Sequence, residues 1–79
     1  HFRVLRMTTK AQRVVRELFE AMFGEDNLMP TEHQDAARRL EAADGEPGRA
    51  RAVADYIAGM TDRFAILEHR RLFNPAERT

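Results

Sequence analysis

Apolar residues recur every three or four positions in the last third of the chain, and this spacing constrains the fold more than any other feature. They are Val53, Ile57, Met60, Phe64 and Leu67. Residues at this spacing share one side of an α-helix. Thr61 could instead cap a new helix at Asp62, but a break there would disturb the phase. The sequence therefore favours one long helix that ends at Asn74 and Pro75, with Gly59 as the position of any bend.

The first part of the chain predicts a second amphipathic helix. Its apolar positions are Val4, Met7, Ala11, Val14, Val15, Leu18 and Met22, and Phe19 and Phe23 widen the stripe. Gly24 could end this helix in a left-handed conformation, and the loop "GEDNLMP" follows. Arg13 and Glu17 are spaced for an ion pair on the exposed side of the helix.

A shorter helix is predicted between these two. Thr31 could cap it, Gln34 stands at the capping-box position, and Gly45 could end it. Its apolar face is weak, so we expect it at the surface, followed by a flexible linker, "DGEPG". The residues of that face are Ala36, Ala37, Leu40 and Ala43. The predicted fold is all-α, with two long amphipathic helices joined by a short surface helix.

The size of the chain limits how stable such a fold can be. Its 79 residues suffice for one small domain with a thin core. The predicted helices bury too little apolar surface to offset the entropy of ordering about 60 residues. The chain also begins without methionine, while apolar spacing is already present at Val4 and Leu5. We therefore expect a fragment or a processed chain that depends on further polypeptide or on a partner.

Composition narrows the function classes. Thirteen basic and thirteen acidic residues balance, so no overall attraction to nucleic acid or to an anionic membrane is expected. The absence of cysteine removes disulfides and thiolate metal sites and agrees with a reducing compartment. No apolar run approaches the roughly 20 residues of a membrane span, and no signal-peptide pattern is present. We expect a cytoplasmic protein, and a compact DNA-binding domain is disfavoured.

Four cations align along the first predicted helix. Arg3, Arg6, Lys10 and Arg13 recur at steps of three and four residues. They stand at the margin of the apolar stripe, where their stems can pack while their charged ends reach a cleft. Such a row can hold phosphates. The alternative is a solvated helix face, which the spacing alone favours.

Two aspartates share a face of the last predicted helix. Asp55 and Asp62 are two turns apart, about 10 Å, which is too far for one metal ion without a third ligand. The alternative for the aspartates is a charge at a helix start or an ion pair. The alternative for Tyr56 is a phenol at the edge of the core. No metal site is predicted within the chain, because its histidines lie on different segments without nearby carboxylates at ligand spacing. Gly59 is expected to mark close approach by another element.

Two strings resemble one enzyme family. "VADYIAGMTDRFAILEHRRLF", residues 53–73, closely resembles a segment near the C-terminus of bacterial deoxyguanosinetriphosphate triphosphohydrolases and their dNTPase-like relatives in the HD-domain superfamily. "FRVLRMTTKAQRVVRELFEAMF" is similar to the helix that precedes that segment. The resemblance covers both long predicted helices, whereas residues 25–48 carry nothing diagnostic.

The resemblance implies the chemistry that composition leaves open. Such enzymes are all-helical and cut a dNTP to the deoxynucleoside and inorganic tripolyphosphate. They bind a divalent metal, magnesium or manganese, through upstream His and His-Asp residues that this chain lacks. Residues 1–79 would then be the C-terminal helical portion of such an enzyme, without catalytic residues of its own. Oligomers are common in the family, so the resemblance implies a homo-oligomer.

The resemblance also indicates candidate site residues. It implies phosphate contacts for Arg3, Arg6 and Lys10. Tyr56 and Asp62 match the family motif without an assignable role. The competing function class is a helical protein-interaction or dimerisation module without catalytic activity.

Overall fold

The computed structural model describes residues 9–74, which form four α-helices and one short 3₁₀ turn. No residue in this range belongs to a β-strand, which confirms the all-α prediction. Predictions for Arg3, Arg6 and the other residues of 1–8 and 75–79 lie outside the described residues. The elements are α1, Thr9–Gly24; the 3₁₀ turn, Asp26–Leu28; α2, Thr31–Asp44; α3, Glu46–Ala58; and α4, Asp62–Phe73.

The core lies where α1 and α3 pack together. Three side chains there are the largest that are fully buried: Leu18 and Met22 from α1, and Val53 from α3. Ile57, one turn beyond Val53, is buried as well. These residues belong to the two predicted apolar stripes, which are therefore correct for α1 and α3. From α2 the core receives Ala37, a small side chain that lets this helix approach closely.

The segment predicted as a flexible linker is a tight turn between α2 and α3. Gly45 alone joins the two helices, and its φ of 73° lies in the left-handed region that favours glycine. Pro47 stands in the first turn of α3, where a missing backbone N–H has no cost. Gly45 does end α2, as predicted, and its N–H donates to the Glu41 carbonyl at 2.7 Å. With 14 residues, α2 has the predicted extent and is shorter than α1, but it is longer than α3 and α4, so it does not connect two long helices.

Gly48 brings the backbones of α2 and α3 together. A Cβ at this position would overlap the carbonyl oxygen of Leu40 and would lie 2.6 Å from its carbonyl carbon. The predicted close approach therefore occurs at Gly48. At Gly59 the nearest atoms to such a Cβ belong to the preceding turn of its own helix, at 3.6 Å and beyond. The prediction for Gly59 was wrong, because this glycine ends α3.

The single helix predicted over the last third of the chain is two helices. The Gly59 N–H donates to the carbonyls of Asp55 and Tyr56, closing α3. Thr61 has an extended backbone, and its Oγ1 accepts a hydrogen bond from the Phe64 N–H at 3.1 Å. A threonine in this conformation caps the helix that follows it. The cap at Thr61 therefore starts a new helix, although the apolar spacing predicts a continuous one.

The break changes which residues of α4 face the core. Ala65 is buried, whereas Phe64 and Leu67 are 45% and 46% exposed. The sequence placed Phe64 and Leu67 on the buried stripe because their spacing continues that of α3. Once α4 starts afresh at Asp62, its orientation is set by packing against α1 and not by the phase of α3.

A side chain from α3, and not a glycine, closes the end of α1. Gly24 is not left-handed, since Gly45 is the one glycine of positive φ among the described residues. Arg49 donates from Nε and Nη2 to the Phe23 carbonyl at 2.9 and 2.7 Å, and its guanidinium lies 5.4 Å from the centre of the Phe23 ring. Because Arg49 satisfies this carbonyl at the helix end, α1 needs no left-handed cap.

The start of α2 also differs from the prediction. Thr31 is its first helical residue, and the N-cap position belongs to Pro30, which makes no side-chain cap. The Gln34 side chain donates to the Met29 carbonyl at 2.7 Å instead of completing a capping box. The amide therefore holds the loop before α2, a role that the capping-box pattern does not predict.

Candidate functional site

A groove of about 500 Å³ lies between the first half of α1 and the length of α4, and we call it the α1–α4 groove. Both helices supply apolar side chains to it, among them Val14 and Val15 from α1 and Ile66 and Phe73 from α4. An apolar lining with a few charged groups is typical of ligand-binding clefts. The charged and titratable residues that line it are Lys10, Arg13, Asp62, His69 and Arg70.

Cations outnumber carboxylates in this groove. Lys10, Arg13 and Arg70 contribute three positive charges, against one negative charge from Asp62. Arg13 lies 4.0 Å from Glu17, one turn further along α1, as the sequence predicts. Lys10 and Arg70 form no ion pair with any residue of 9–74. The groove therefore favours an anion.

His69 joins α4 to α1 beside the groove. Its Nε2 lies 2.6 Å from Oε1 of Glu17, a distance at which Nε2–H donates to the carboxylate. This hydrogen bond is the main reason that the pKa of Glu17 lies below its ordinary value of 4.5, and the positive charges of Arg13 and Arg16 act in the same direction. The His69 ring also packs against Phe73, with centroids 4.6 Å apart. The contact between α1 and α4 is thus partly polar.

The structure brings two of the sequence-predicted site residues together. Lys10 on α1 and Asp62 on α4 line the same groove, although they are distant in the sequence. Asp62 stands in the first turn of α4, where the helix dipole favours a carboxylate. Asp55 lies on a different helix from Asp62 and is 4.0 Å from Arg51 on the exposed side of α3. The two aspartates therefore do not share a helix face, and that prediction was wrong.

Tyr56 lies apart from the α1–α4 groove. It lines a separate depression with His33, Met60 and Phe64. The ring centroids of Tyr56 and His33 are 4.5 Å apart. Partial burial raises the pKa of the Tyr56 phenol, and the negative charge of Glu68 adds to this effect. The position agrees with a phenol at the edge of the core.

On the α4 side of the groove, the sequence indicated Asp62 and missed the other lining residues. Ile66, Arg70 and Phe73 are spaced by four and three residues, so they follow one side of α4. This spacing can be recognised as one side of a helix only when the helix is known to begin at Asp62. If the helix is assumed to be continuous from α3, the apolar stripe runs through Phe64 instead, and Ile66 and Phe73 lie off it.

The described residues do not fit the divalent ion that the resemblance implies. Within residues 9–74 there is no group of three or more His, Cys, Asp or Glu side chains that could hold a metal ion. In the same range, no helix has the length and apolar character needed to cross a membrane.

Known proteins similar to this chain share one description. A deoxyguanosinetriphosphate triphosphohydrolase-like protein of Bordetella pertussis is 59% identical over 73 residues, which are 92% of this chain and 17% of that protein. A protein of the same description from Azoarcus sp. is 48% identical over 77 residues, 98% of this chain and 18% of that protein. One from Geobacter metallireducens is 49% identical over 78 residues, 99% of this chain and 18% of that protein. No solved structure matches.

The similarity extends over nearly the whole chain. The chain spans less than a fifth of the length of these curated relatives. Residues 1–71 match the family model described as the phosphohydrolase-associated domain. The match includes α1, α2 and α3 and nearly all of α4. The chain belongs to the phosphohydrolase-associated domain family.

Proposed function

We propose that this chain is the C-terminal helical part of a metal-dependent hydrolase that cleaves a dNTP to the deoxynucleoside and tripolyphosphate. One observation carries the proposal, namely the 59% identity over 92% of the chain to a deoxyguanosinetriphosphate triphosphohydrolase-like protein. In this proposal the catalytic groups and a magnesium or manganese ion belong to the rest of the polypeptide. The 79 residues supply scaffold and substrate contacts and are inactive alone. The complete enzyme is a cytoplasmic homo-oligomer.

We assign the α1–α4 groove to the phosphate side of the substrate. Lys10 is exposed at the start of α1, and Arg70 lines the groove from α4. An ammonium and a guanidinium group both form charge-assisted hydrogen bonds with phosphate oxygens. Arg3 and Arg6 precede Lys10 in the sequence at steps of three and four residues, and we include them among the proposed phosphate contacts.

These residues would act by binding and orienting the substrate. A cation beside the triphosphate offsets its charge in the ground state and stabilises the charge that develops on the departing tripolyphosphate. Asp62 has the wrong charge for a phosphate contact, so its position in the first turn of α4 is assigned to helix stability. Tyr56 lies outside the groove and receives no substrate contact in this proposal.

The test is tripolyphosphate release from dNTPs by the complete enzyme with magnesium or manganese. We expect Lys10→Ala to lower kcat/KM by about tenfold or more, because one charge-assisted contact to the phosphates is lost. The control is Arg39→Ala, an exposed cation of α2 that does not line the groove, and it should leave kcat/KM unchanged. Unchanged kcat/KM in Lys10→Ala would refute the phosphate contact. No release by the wild-type enzyme with any dNTP would refute the hydrolase proposal itself.

A helical interaction or dimerisation module without catalysis is the second candidate function. Four exposed large apolar side chains on α4 favour it. Such a module should show helicity that rises with protein concentration, and the parent protein should release no tripolyphosphate. Metal-dependent release discriminates between the two candidates.

A further inference from the structure

His69 is a titratable side chain of the α1–α4 groove to which the proposed function gives no role. It lines the groove from α4, and its side chain is 21% exposed. Two contacts hold the imidazole ring. Its Nε2 lies 2.6 Å from Oε1 of Glu17, and the ring packs against Phe73 with centroids 4.6 Å apart. Because the ring is held at one nitrogen and on one face, the position of its other nitrogen, Nδ1, is fixed as well.

The ionisation of Glu17 determines which nitrogen of His69 carries the hydrogen. The pKa of Glu17 lies below its ordinary value of 4.5, mainly because of the hydrogen bond to His69, so this side chain is a carboxylate at neutral pH. A carboxylate only accepts hydrogen bonds, and Nε2 of His69 must therefore be the donor. In the neutral ring Nδ1 is then an acceptor. It becomes a donor only when the ring takes up a proton.

Nδ1 of His69 is accessible to a molecule in the groove. Among residues 9–74, the hydrogen bond to Glu17 is the one that this imidazole makes. In the same part of the chain, no buried side-chain nitrogen or oxygen lacks a hydrogen-bond partner. The unpartnered Nδ1 is therefore not buried. Since His69 lines the α1–α4 groove, an anion bound there can reach this atom.

The charges that face His69 come from α1 and α4. The carboxylate of Glu17 favours a protonated imidazole, whereas the guanidinium groups of Arg13 and Arg70 disfavour it. The other charged residues of the groove and of the surroundings of Glu17 are Lys10, Arg16, Glu20 and Asp62. No charged residue of α2 or α3 lines this groove within the described range. An anion in the groove adds negative charge beside the ring, so anion binding and protonation of His69 favour each other.

We propose that His69 is a further contact to the anion in the α1–α4 groove, made by Nδ1–H of the protonated ring while Nε2–H donates to Glu17. The ligand class is a polyphosphate, whose oxygens accept charge-assisted hydrogen bonds. Histidine side chains change charge between about pH 5 and 8, so the groove binds polyphosphate more tightly toward the acidic end of this range. This inference rests on the proposed function, because it deepens the assignment of the groove to the phosphate side of the substrate.

The binding of inorganic tripolyphosphate to the complete parent protein tests the proposal without turnover. Calorimetry at about pH 6 and about pH 8, with a chelator to remove divalent ions, compares the wild type with His69→Gln. The glutamine amide nitrogen can replace Nε2 as the donor to Glu17, but glutamine has no equivalent of Nδ1 and cannot take up a proton. The protonation of tripolyphosphate itself is the same for every variant, and it cancels in the ratio of affinities.

The wild type should bind tripolyphosphate about fivefold or more tightly than His69→Gln at the lower pH, because one charge-assisted hydrogen bond is lost in the variant. At the higher pH, where histidine is mostly neutral, the two affinities should agree within about twofold. The control is His33→Gln on α2, which changes a histidine that does not line the groove. It should bind as the wild type does at both pH values.

Three outcomes would overturn the proposal. They are a ratio of wild-type to His69→Gln affinity that is the same at both pH values, an equal effect of His33→Gln, and no binding of tripolyphosphate by the wild type at the lower pH. The first would show that the imidazole is a structural contact, since such a role does not require a proton on Nδ1.

A second measurement needs no variant and applies if His69→Gln does not fold. Deuterium exchange at histidine Cε1, read by mass spectrometry, measures the protonated fraction of each histidine in the wild type. At about pH 7, tripolyphosphate should raise this fraction at His69 and leave it unchanged at His33. An unchanged fraction at His69 would overturn the proposal. Failure of the proposed function is distinguishable, because a protein that releases no tripolyphosphate from dNTPs can still show this pH-dependent binding.

Discussion

Two neighbouring residues of α3 determine how the first three helices meet. Gly48 allows the α2 backbone to approach, and Arg49 reaches the Phe23 carbonyl at the end of α1. The guanidinium of Arg49 also lies 3.5 Å from a carboxylate oxygen of Asp26 and 3.4 Å from one of Glu41. Neither residue belongs to an apolar stripe, and their partners lie on other elements of the fold. Periodicity therefore could not identify them.

Gly48→Ala should destabilise the protein by about 1–3 kcal/mol, because the new Cβ overlaps the Leu40 carbonyl oxygen and α2 must move away. The matched control is Gly24→Ala at the end of α1, where a Cβ would meet nothing within 4 Å. Its effect should be neutral or slightly stabilising. Urea unfolding of the parent protein measures both. An equal effect of the two substitutions would contradict the close contact at Gly48.

At the scale of helices, prediction from sequence succeeded where large apolar residues set the packing. Leu18 and Met22 of α1 and Val53 of α3 are buried as their spacing predicts. Prediction failed at Thr61, because a cap and a continuous apolar phase compete there and the sequence does not show which is stronger. That failure also misplaced Phe64.

The same error limited prediction of the candidate site. Lys10 and Asp62 were predicted, and both line the α1–α4 groove. Arg70 was missed because its position opposite α1 depends on where α4 starts. Tyr56 matches the family motif yet lies in a different depression, since a motif in sequence does not state which side of a helix faces the site.

Thr61→Ala should weaken the start of α4 by about 1 kcal/mol, since the hydrogen bond from the Phe64 N–H to Oγ1 is lost. Thr31→Ala is the control, because Thr31 is the first helical residue of α2 and not its N-cap. Its effect should stay within about 0.5 kcal/mol. Hydrogen exchange of the Phe64 amide in the parent protein gives a local measurement. Exchange that is no faster in Thr61→Ala than in the wild type would show that the cap does not stabilise α4.

At the scale of the whole molecule, a polar contact helps to hold α4 on α1. The molecule is flattened, with extents of 38 × 34 × 16 Å. Within α4 the buried apolar residue is Ala65, a small side chain, and Leu72 is partly buried against the core. The hydrogen bond between His69 and Glu17 therefore matters for holding α4 on α1. Since Glu17 is titratable, this contact makes the stability of the molecule depend on pH.

The sign of that dependence follows from the lowered pKa of Glu17. A carboxyl group whose pKa is lower in the folded state stabilises the fold above its unfolded pKa, and this contribution is lost as the pH falls through the folded value. The difference in unfolding free energy between the wild type and Glu17→Gln should thus be largest above the ordinary pKa of 4.5 and shrink as the pH falls below that value. Urea unfolding of the parent protein over this range measures it. Glu20→Gln, an exposed change on the same helix, is the control for altered charge.

A constant difference between wild type and Glu17→Gln at all pH values would contradict this assignment. So would a pH-dependent difference of the same size in Glu20→Gln. In either case the contact between α1 and α4 would not depend on the charge of Glu17.

The contact at Gly48 has a consequence for second-site suppression. The atom that a Cβ would overlap is the backbone carbonyl oxygen of residue 40, which every amino acid carries. A change of side chain at position 40 therefore cannot make room for a larger residue at position 48. Suppressors of a Gly48 substitution must instead shift the α2 backbone, and we expect them in the turn at Gly45 or among residues that anchor α2, not at the position in contact.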